Sequence, residues 1–176
     1  DIAYQGQWSW VGNPANWDGL AYHSPVTNYA MTLPMFLSND PTVARLFMAI
    51  LSALTVVVSM RLMQRYTDSS TALIAGLFIA VLPQLVEWGR FVWNPSFAPL
   101  FIMLWIFTLL LGYYEGKRHY QVWHGLWLSL CFQSQAVLLM LVPVSMLAIL
   151  IWHWHHRRWR DFAITCMSVL VVIVSC

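Results

Sequence analysis

Apolar residues run through most of this chain without the regular interruptions that mark a water-facing helix or strand. Four stretches hold no Asp, Glu, Lys or Arg: 15 positions between Arg45 and Arg61, 18 between Asp68 and Glu87, 24 between Arg90 and Glu115, and 38 between Arg118 and Arg157. An amphipathic helix would return a polar residue every turn, and a half-buried strand every second position. Uninterrupted runs of about 18 or more suit a helix crossing a bilayer, where each backbone group must find its partner inside the segment. The pattern predicts spans over 41–66, 70–89, 95–114, 120–134, 135–153 and 161–176. Asp40 before Pro41 forms a good cap and first-turn pair. The turn Thr67-Asp68-Ser69-Ser70 starts the next segment, and Pro95 after Asn94 starts another.

The 38-residue run would extend about 57 Å as one helix, at about 1.5 Å per residue, against a hydrocarbon core of about 30 Å. Its middle is polar, with Ser129, Gln133, Ser134 and Gln135, so two short spans meet there. Charge placement tests the choice, because Lys and Arg collect on the cytoplasmic side of short loops. Six spans place Arg61, Arg65, Lys117, Arg118, Arg157, Arg158 and Arg160 on one side and Arg45 and Arg90 on the other, seven against two. A single span over 120–153 would give four against five. The split form then puts residues 1–40, the 87–95 loop and the 133–135 turn outside.

Composition agrees with this reading. The chain is 60% hydrophobic and 9% charged, against about 45–50% and about 25% in soluble domains. That excludes a disordered chain, a nucleic-acid-binding arm and an ordinary soluble domain. The three cysteines, Cys131, Cys166 and Cys176, fall in apolar runs and read as small packing residues. The chain begins with Asp1 and stops inside the apolar run 162–176, which at 15 residues is short of a span. The expectation is a fragment of a longer membrane protein, incomplete at both ends.

Residues 1–40 form an outside loop, and 41–176 a transmembrane helical domain. The loop carries Tyr4, Trp8, Trp10, Trp17, Tyr22 and Tyr29 among Gly, Asn and Pro, residue types that favour the bilayer interface. Residues 25–37 suit a short interfacial helix with Met31, Leu33, Met35, Phe36 and Leu37 towards lipid; a wet loop with aromatic anchors is the alternative.

Candidate chemistry gathers on the outside face. Arg90 stands against the charge rule and needs a local partner, either a carboxylate or a bound phosphate. Glu87 lies three residues earlier, on the same helical face if the helix continues. The two therefore form a simple ion pair or belong to an anion clamp. Arg45 sits one turn into its span and either assists at the phosphate or snorkels to the headgroups. Asp18, in Asn16-Trp17-Asp18-Gly19, is a turn former or an acid of the site. His23 is a loop histidine with access to a phosphate or a metal. On the other side, His153, His155 and His156 read as an interfacial aromatic and basic belt, because adjacent helical residues do not converge on one ion. Gly76, Gly112 and Gly125 read as helix-contact points. A transporter or channel subunit is the rival class; Pro83 and Pro143 would be its broken helices.

The residues Pro83, Glu87-Trp88-Gly89-Arg90, Val92-Trp93-Asn94-Pro95-Ser96-Phe97 and Pro99 resemble the Arg…Trp-Asn-Pro signature of bacterial polyprenyl-phosphate-dependent glycosyltransferases. These integral-membrane enzymes include relatives of the protein O-mannosyltransferases and of the lipid A aminoarabinose transferase. Pro25-Val26-Thr27-Asn28-Tyr29, Leu33-Pro34, Asp40-Pro41 and Ala44-Arg45 are similar to the stretch joining that family's first outside loop to its next span. Gln133-Ser134-Gln135 is similar to its Gln-x-His turn, with Gln135 at the His position. The resemblance covers the N-terminal half of the membrane domain without its first span.

It implies an all-α, polytopic GT-C helical bundle in the inner membrane, with its active site facing the periplasm. It further implies transfer of a hexosyl or pentosyl group from a polyprenyl-phosphate donor to a hydroxyl-bearing lipid, glycan or protein acceptor. Inverting transfer needs one carboxylate to take the acceptor proton and cations to hold the departing phosphate. The family places its essential acid just after the first span, where Asp1 stands with Ile2 beside it. Arg90, Arg45, Glu87, Asn94, Asp18 and His23 are then the substrate-binding candidates. No residue set is assigned to a metal, a divalent ion is left open as cofactor, and membrane lipids rather than nucleic acid are the expected surroundings.

Overall fold

The computed structural model describes residues 25–156 and Cys166, all as helices and short connections without a strand among them. In chain order these are α1 (Pro25–Thr32) with a 3-10 turn Leu33–Phe36, α2 (Pro41–Tyr66), α3 (Ser69–Ala80) and α4 (Pro83–Trp88). After a 3-10 turn Asn94–Phe97 come α5 (Ala98–Leu109), a π-helical turn Leu110–Tyr114, α6 (Arg118–Ser134), a 3-10 turn Ala136–Met140 and α7 (Leu141–His156). The expected helix within 25–37 is present. Asp1, Asp18, His23 and the expected 161–176 span lie outside the described residues, Cys166 excepted.

Local chemistry explains the boundaries. Asp40 caps α2, accepting from the Thr42 N–H at 2.8 Å, and Asp68 caps α3 by accepting from the Thr71 N–H at 2.9 Å. The segment expected over 70–89 is not one helix. Pro83 has no N–H to give to Ile79, so the Leu82 N–H turns back to that carbonyl at 3.2 Å and Leu82 extends to ψ 119°. That is the conformation favoured before proline, and Pro83 then opens α4. Pro143, by contrast, lies in the first turn of α7, where proline is tolerated and breaks nothing. The expected 133–135 turn is present: α6 stops at Ser134, Gln135 is extended, and its N–H reaches the Cys131 carbonyl at 3.1 Å.

Among the described residues, three helical segments are long and apolar enough to cross a membrane: Pro41–Tyr66, Asn94–Tyr114 and Ala136–His156. The middle one is central, with 50% of its apolar window buried against 22% for each of the others. It packs on α2 at one side and on α6 at the other, while α3 packs on the far side of α2. The core lies between α5, α6 and α7, around Trp105, Leu128, Cys131, Ile149 and Trp152. Within it the Trp105 indole N–H donates to the Ser145 hydroxyl at 3.0 Å, tying α5 to α7.

Elsewhere the pattern is that of a protein whose solvent is lipid. Leu46, Ile50, Leu54 and Val57 form an outward stripe on α2, while Thr55 and Ser59 face inward. Their hydroxyls are satisfied by backbone carbonyls one turn back, Leu51 and Thr55. Small and weakly polar residues inside with large apolar ones outside is the arrangement expected where lipid replaces water. Gly76 permits the close approach of α3 to α2: an added Cβ would overlap the Met60 side chain. Gly112 likewise abuts Gln121, whose amide donates to its carbonyl at 2.9 Å, but Gly125 faces open space and is no helix contact.

Candidate functional site

The site is built at the end of the bundle where α2 begins and α4 ends. The Gly89 N–H donates to the Leu85 carbonyl and the Arg90 N–H to the Glu87 carbonyl, both at 3.0 Å. These bonds close α4 and start a turn. Buried Leu85 anchors the turn from below. On its far side the Ser96 hydroxyl donates to the Phe91 carbonyl at 2.8 Å and the Ser96 N–H to the Trp93 carbonyl at 3.0 Å. The stretch 94–97 is buried, and Phe97 meets Phe47 of α2 edge-on at 6.5 Å. A loop held at both ends therefore presents Arg90 outward.

Arg90 and Arg45 line one groove of about 790 Å³, although 45 positions separate them in sequence. The 35–46 stretch forms one wall, including Met35, Asn39, Asp40 and Ala44, and the 89–92 turn forms the other. Its lining is mostly apolar, so the two guanidiniums dominate its electrostatics. Neither takes part in an ion pair among the described residues, where Glu115 is the carboxylate that pairs, with Arg65 and Lys117. Asp40 is the acid in the groove wall, but its carboxylate is committed to the helix cap. The Thr42 N–H holds it below the usual carboxylate range.

A second groove of about 480 Å³ continues from the first, sharing Ala49, Gly89 and Arg90. It runs along α2 past Ser52, Ala53 and Val56, facing Ala80, Leu85 and Val86 from the α3–α4 break. The break at Pro83 and the small side chains of α2 leave this space open.

Arg45 and Arg90, both read from the sequence as candidates on one face, line the same groove. Glu87 is exposed and does not pair with Arg90, because α4 stops at Trp88 and Arg90 lies beyond the helical face they were expected to share. Glu87 contributes its carbonyl to the turn instead. Asn94 is 3% exposed and packed under the loop, outside both grooves. Asp1, Asp18 and His23 lie outside the described residues. Sequence reasoning missed the groove positions of Asp40, Ser52 and Gly89. The sequence presents Asp40 as a cap and Gly89 as part of the Glu87-Trp88-Gly89-Arg90 stretch, while Ser52 carries no signal.

The opposite end of the bundle is a different kind of place. Arg65 lies in the last turn of α2 and Glu115 follows the π turn; the guanidinium donates from Nε and Nη2 to the two carboxylate oxygens, while Lys117 pairs at 2.9 Å and the Tyr66 hydroxyl donates at 3.0 Å. The Arg65 contact holds the Glu115 carboxyl down to about 2. Arg45 and Arg65 are 20 residues apart on α2, about 30 Å, which is the thickness of a bilayer core. The charged groups thus sit at two levels with an apolar belt between. Near this end His153 is buried while His155 and His156 are exposed, and His156 stacks on Trp152 with ring centroids 4.5 Å apart. The three imidazoles do not converge. Among the described residues no group of three or more His, Cys, Asp or Glu is placed to hold a metal ion.

Neither a curated protein nor a solved structure matches the chain. A family profile described as dolichyl-phosphate-mannose-protein mannosyltransferase matches residues 22–176, nearly the whole chain and all of the described helices. The chain therefore belongs to the dolichyl-phosphate-mannose-protein mannosyltransferase family, as a membrane-embedded glycosyltransferase of the GT-C type.

Proposed function

We propose that this chain moves a sugar from a polyprenyl-phosphate donor to a hydroxyl-bearing acceptor at the outer face of the inner membrane. The observation that carries the reading is a pair of guanidiniums, Arg45 and Arg90, that share a largely apolar groove and enter no ion pair among the described residues. Such a groove suits a ligand with an anionic head and a hydrocarbon tail. A phosphate there meets planar donors that fit its oxygens. The isoprenoid chain follows the second groove along α2, past Ser52, Ala53 and Val56.

In this reading the acceptor oxygen attacks the anomeric carbon as the bond from that carbon to the phosphate oxygen breaks. The proton goes to the Asp1 carboxylate. The electron pair leaves with polyprenyl phosphate, whose growing charge Arg90 and Arg45 stabilise. Glu87, exposed beside the turn, and the sequence candidates Asp18 and His23 are the further substrate contacts of this reading, while buried Asn94 shapes the loop beneath Arg90. The sugar is a hexose or pentose, and the acceptor a lipid, glycan or protein hydroxyl.

Membranes carrying the full-length protein, incubated with a radiolabelled polyprenyl-phosphate sugar, should pass label to an acceptor and release polyprenyl phosphate. Asp1→Asn should abolish the transfer with expression intact. Full transfer by that variant would remove Asp1 from the mechanism, and no transfer by the wild type would sink the donor assignment.

A further inference from the structure

The turn that carries Arg90 reaches α2 at one point of unusual closeness. Gly89 is buried, and an added Cβ there would lie 2.6 Å from the Ser52 Oγ, 3.1 Å from the Ser52 Cβ and 3.3 Å from the Leu85 carbonyl oxygen. The Gly89 backbone is ordinary, with φ −70° and ψ −13° in the right-handed helical region. Any residue adopts that conformation, so the position does not need glycine for its dihedral angles. What it needs is the absent side chain. Seated this way, Gly89 and Arg90 line both grooves at their junction.

We propose that Gly89 is a positioning residue for Arg90, and that the bare contact between Gly89 and Ser52 sets where the guanidinium stands over the junction of the two grooves. The proposal rests on the reading of Arg90 as the phosphate contact. A methyl group at 89 meets both side-chain atoms of Ser52: the Oγ can rotate aside, but the Cβ is fixed to α2 and, at 3.1 Å, leaves the turn to give by a few tenths of an ångström. The turn is tied on one flank to buried Leu85, whose carbonyl accepts from the Gly89 N–H, and on the other by the bond from Ser96 to Phe91. The displacement therefore goes to Arg90. Misplacing a binding group by about 1 Å can cost up to about a hundredfold in turnover. Ser52 shares the role from the α2 side, since its Cβ and Oγ are the atoms a side chain at 89 would meet.

The test uses the full-length protein in membranes with a labelled polyprenyl-phosphate sugar, reading KM for the donor and kcat separately. Gly89→Ala should raise the donor KM roughly three- to tenfold, and Ser52→Val, which puts a carbon branch where the hydroxyl could rotate away, should do the same or more. Adding Ser52→Gly to Gly89→Ala removes both clashing atoms and should recover most of the loss. In an Arg90→Ala background, Gly89→Ala should change the donor KM by less than twofold, because the group it positions is gone. A wild-type donor KM in both Gly89→Ala and Ser52→Val overturns the proposal. So does an undiminished Gly89→Ala effect in the Arg90→Ala background, or a failure of Ser52→Gly to restore. A wild-type donor KM in Arg90→Ala itself overturns the phosphate reading instead, which separates the two.

Discussion

Removing the Arg90 guanidinium is the sharpest perturbation of this site, because the structure isolates what it does. The turn around it is held by main-chain bonds from Gly89 and Arg90 and by the Ser96 hydroxyl. None of these uses the Arg90 side chain. The guanidinium is exposed and has no carboxylate partner among the described residues. Arg90→Ala should therefore leave folding within about 0.5 kcal/mol of wild type, as for a surface change away from such features. Its cost should appear only when an anion is bound. A hydrogen bond to a charged group contributes about 1.5–3 kcal/mol net, and exposure places this site towards the lower end. At about 1.4 kcal/mol per tenfold, that is a loss of roughly 10- to 150-fold in kcat/KM, moderated by Arg45 in the same groove. Arg90→Lys keeps the charge but not the planar fork and should fall between. The assay is transfer of labelled sugar by full-length protein in proteoliposomes, with melting temperature measured in parallel. Activity within twofold of wild type for Arg90→Ala would refute the reasoning, as would an equal loss accompanied by a large drop in melting temperature.

Other outcomes follow from the rest of the bundle. Glu115 is held at about 2, against an ordinary value of 4.5, first by Arg65. A depressed carboxyl stabilises fully above the ordinary value, and that contribution is lost as pH falls through the folded one. Thermal stability in detergent should then decline between about pH 4.5 and pH 2, and Glu115→Gln should flatten that part of the profile; an unchanged profile would remove the clamp. Ser145→Ala strips the buried Trp105 indole of its acceptor. Interhelical hydrogen bonds in membranes average about 0.6 kcal/mol with a maximum near 1.7, so a drop of about 1 kcal/mol is expected by denaturant unfolding, with no drop counting against the bond. Ala53→Leu fills part of the second groove and should raise the donor KM more for long prenyl chains than for short ones; equal effects would place the tail elsewhere.

Hydropathy and charge alone settled the helical class, the α2 boundaries and the split at the 133–135 turn. Those features depend on local rules: a cap at Asp40, prolines in first turns, and lipid that tolerates no unpaired backbone. The charge-free run gave one span at 70–89, where the break falls at Pro83, the proline named as a broken-helix mark under the rival reading; local rules failed at Glu87 and Arg90, where helical spacing assumed a helix that had already ended. Arg90 stood out in the sequence because a cation on the sparsely charged face asks for a partner. That Arg45 lines the same groove, that Ser52 meets Gly89, and that Arg65 reaches Glu115 across 50 positions were decided by packing. Each depends on how α2 lies against α4 and α5, and no periodicity along one segment encodes the distance between two. Short-range patterns specify which residues face lipid; the approach of helices, set by small side chains such as Gly76 and Gly89, specifies which residues meet.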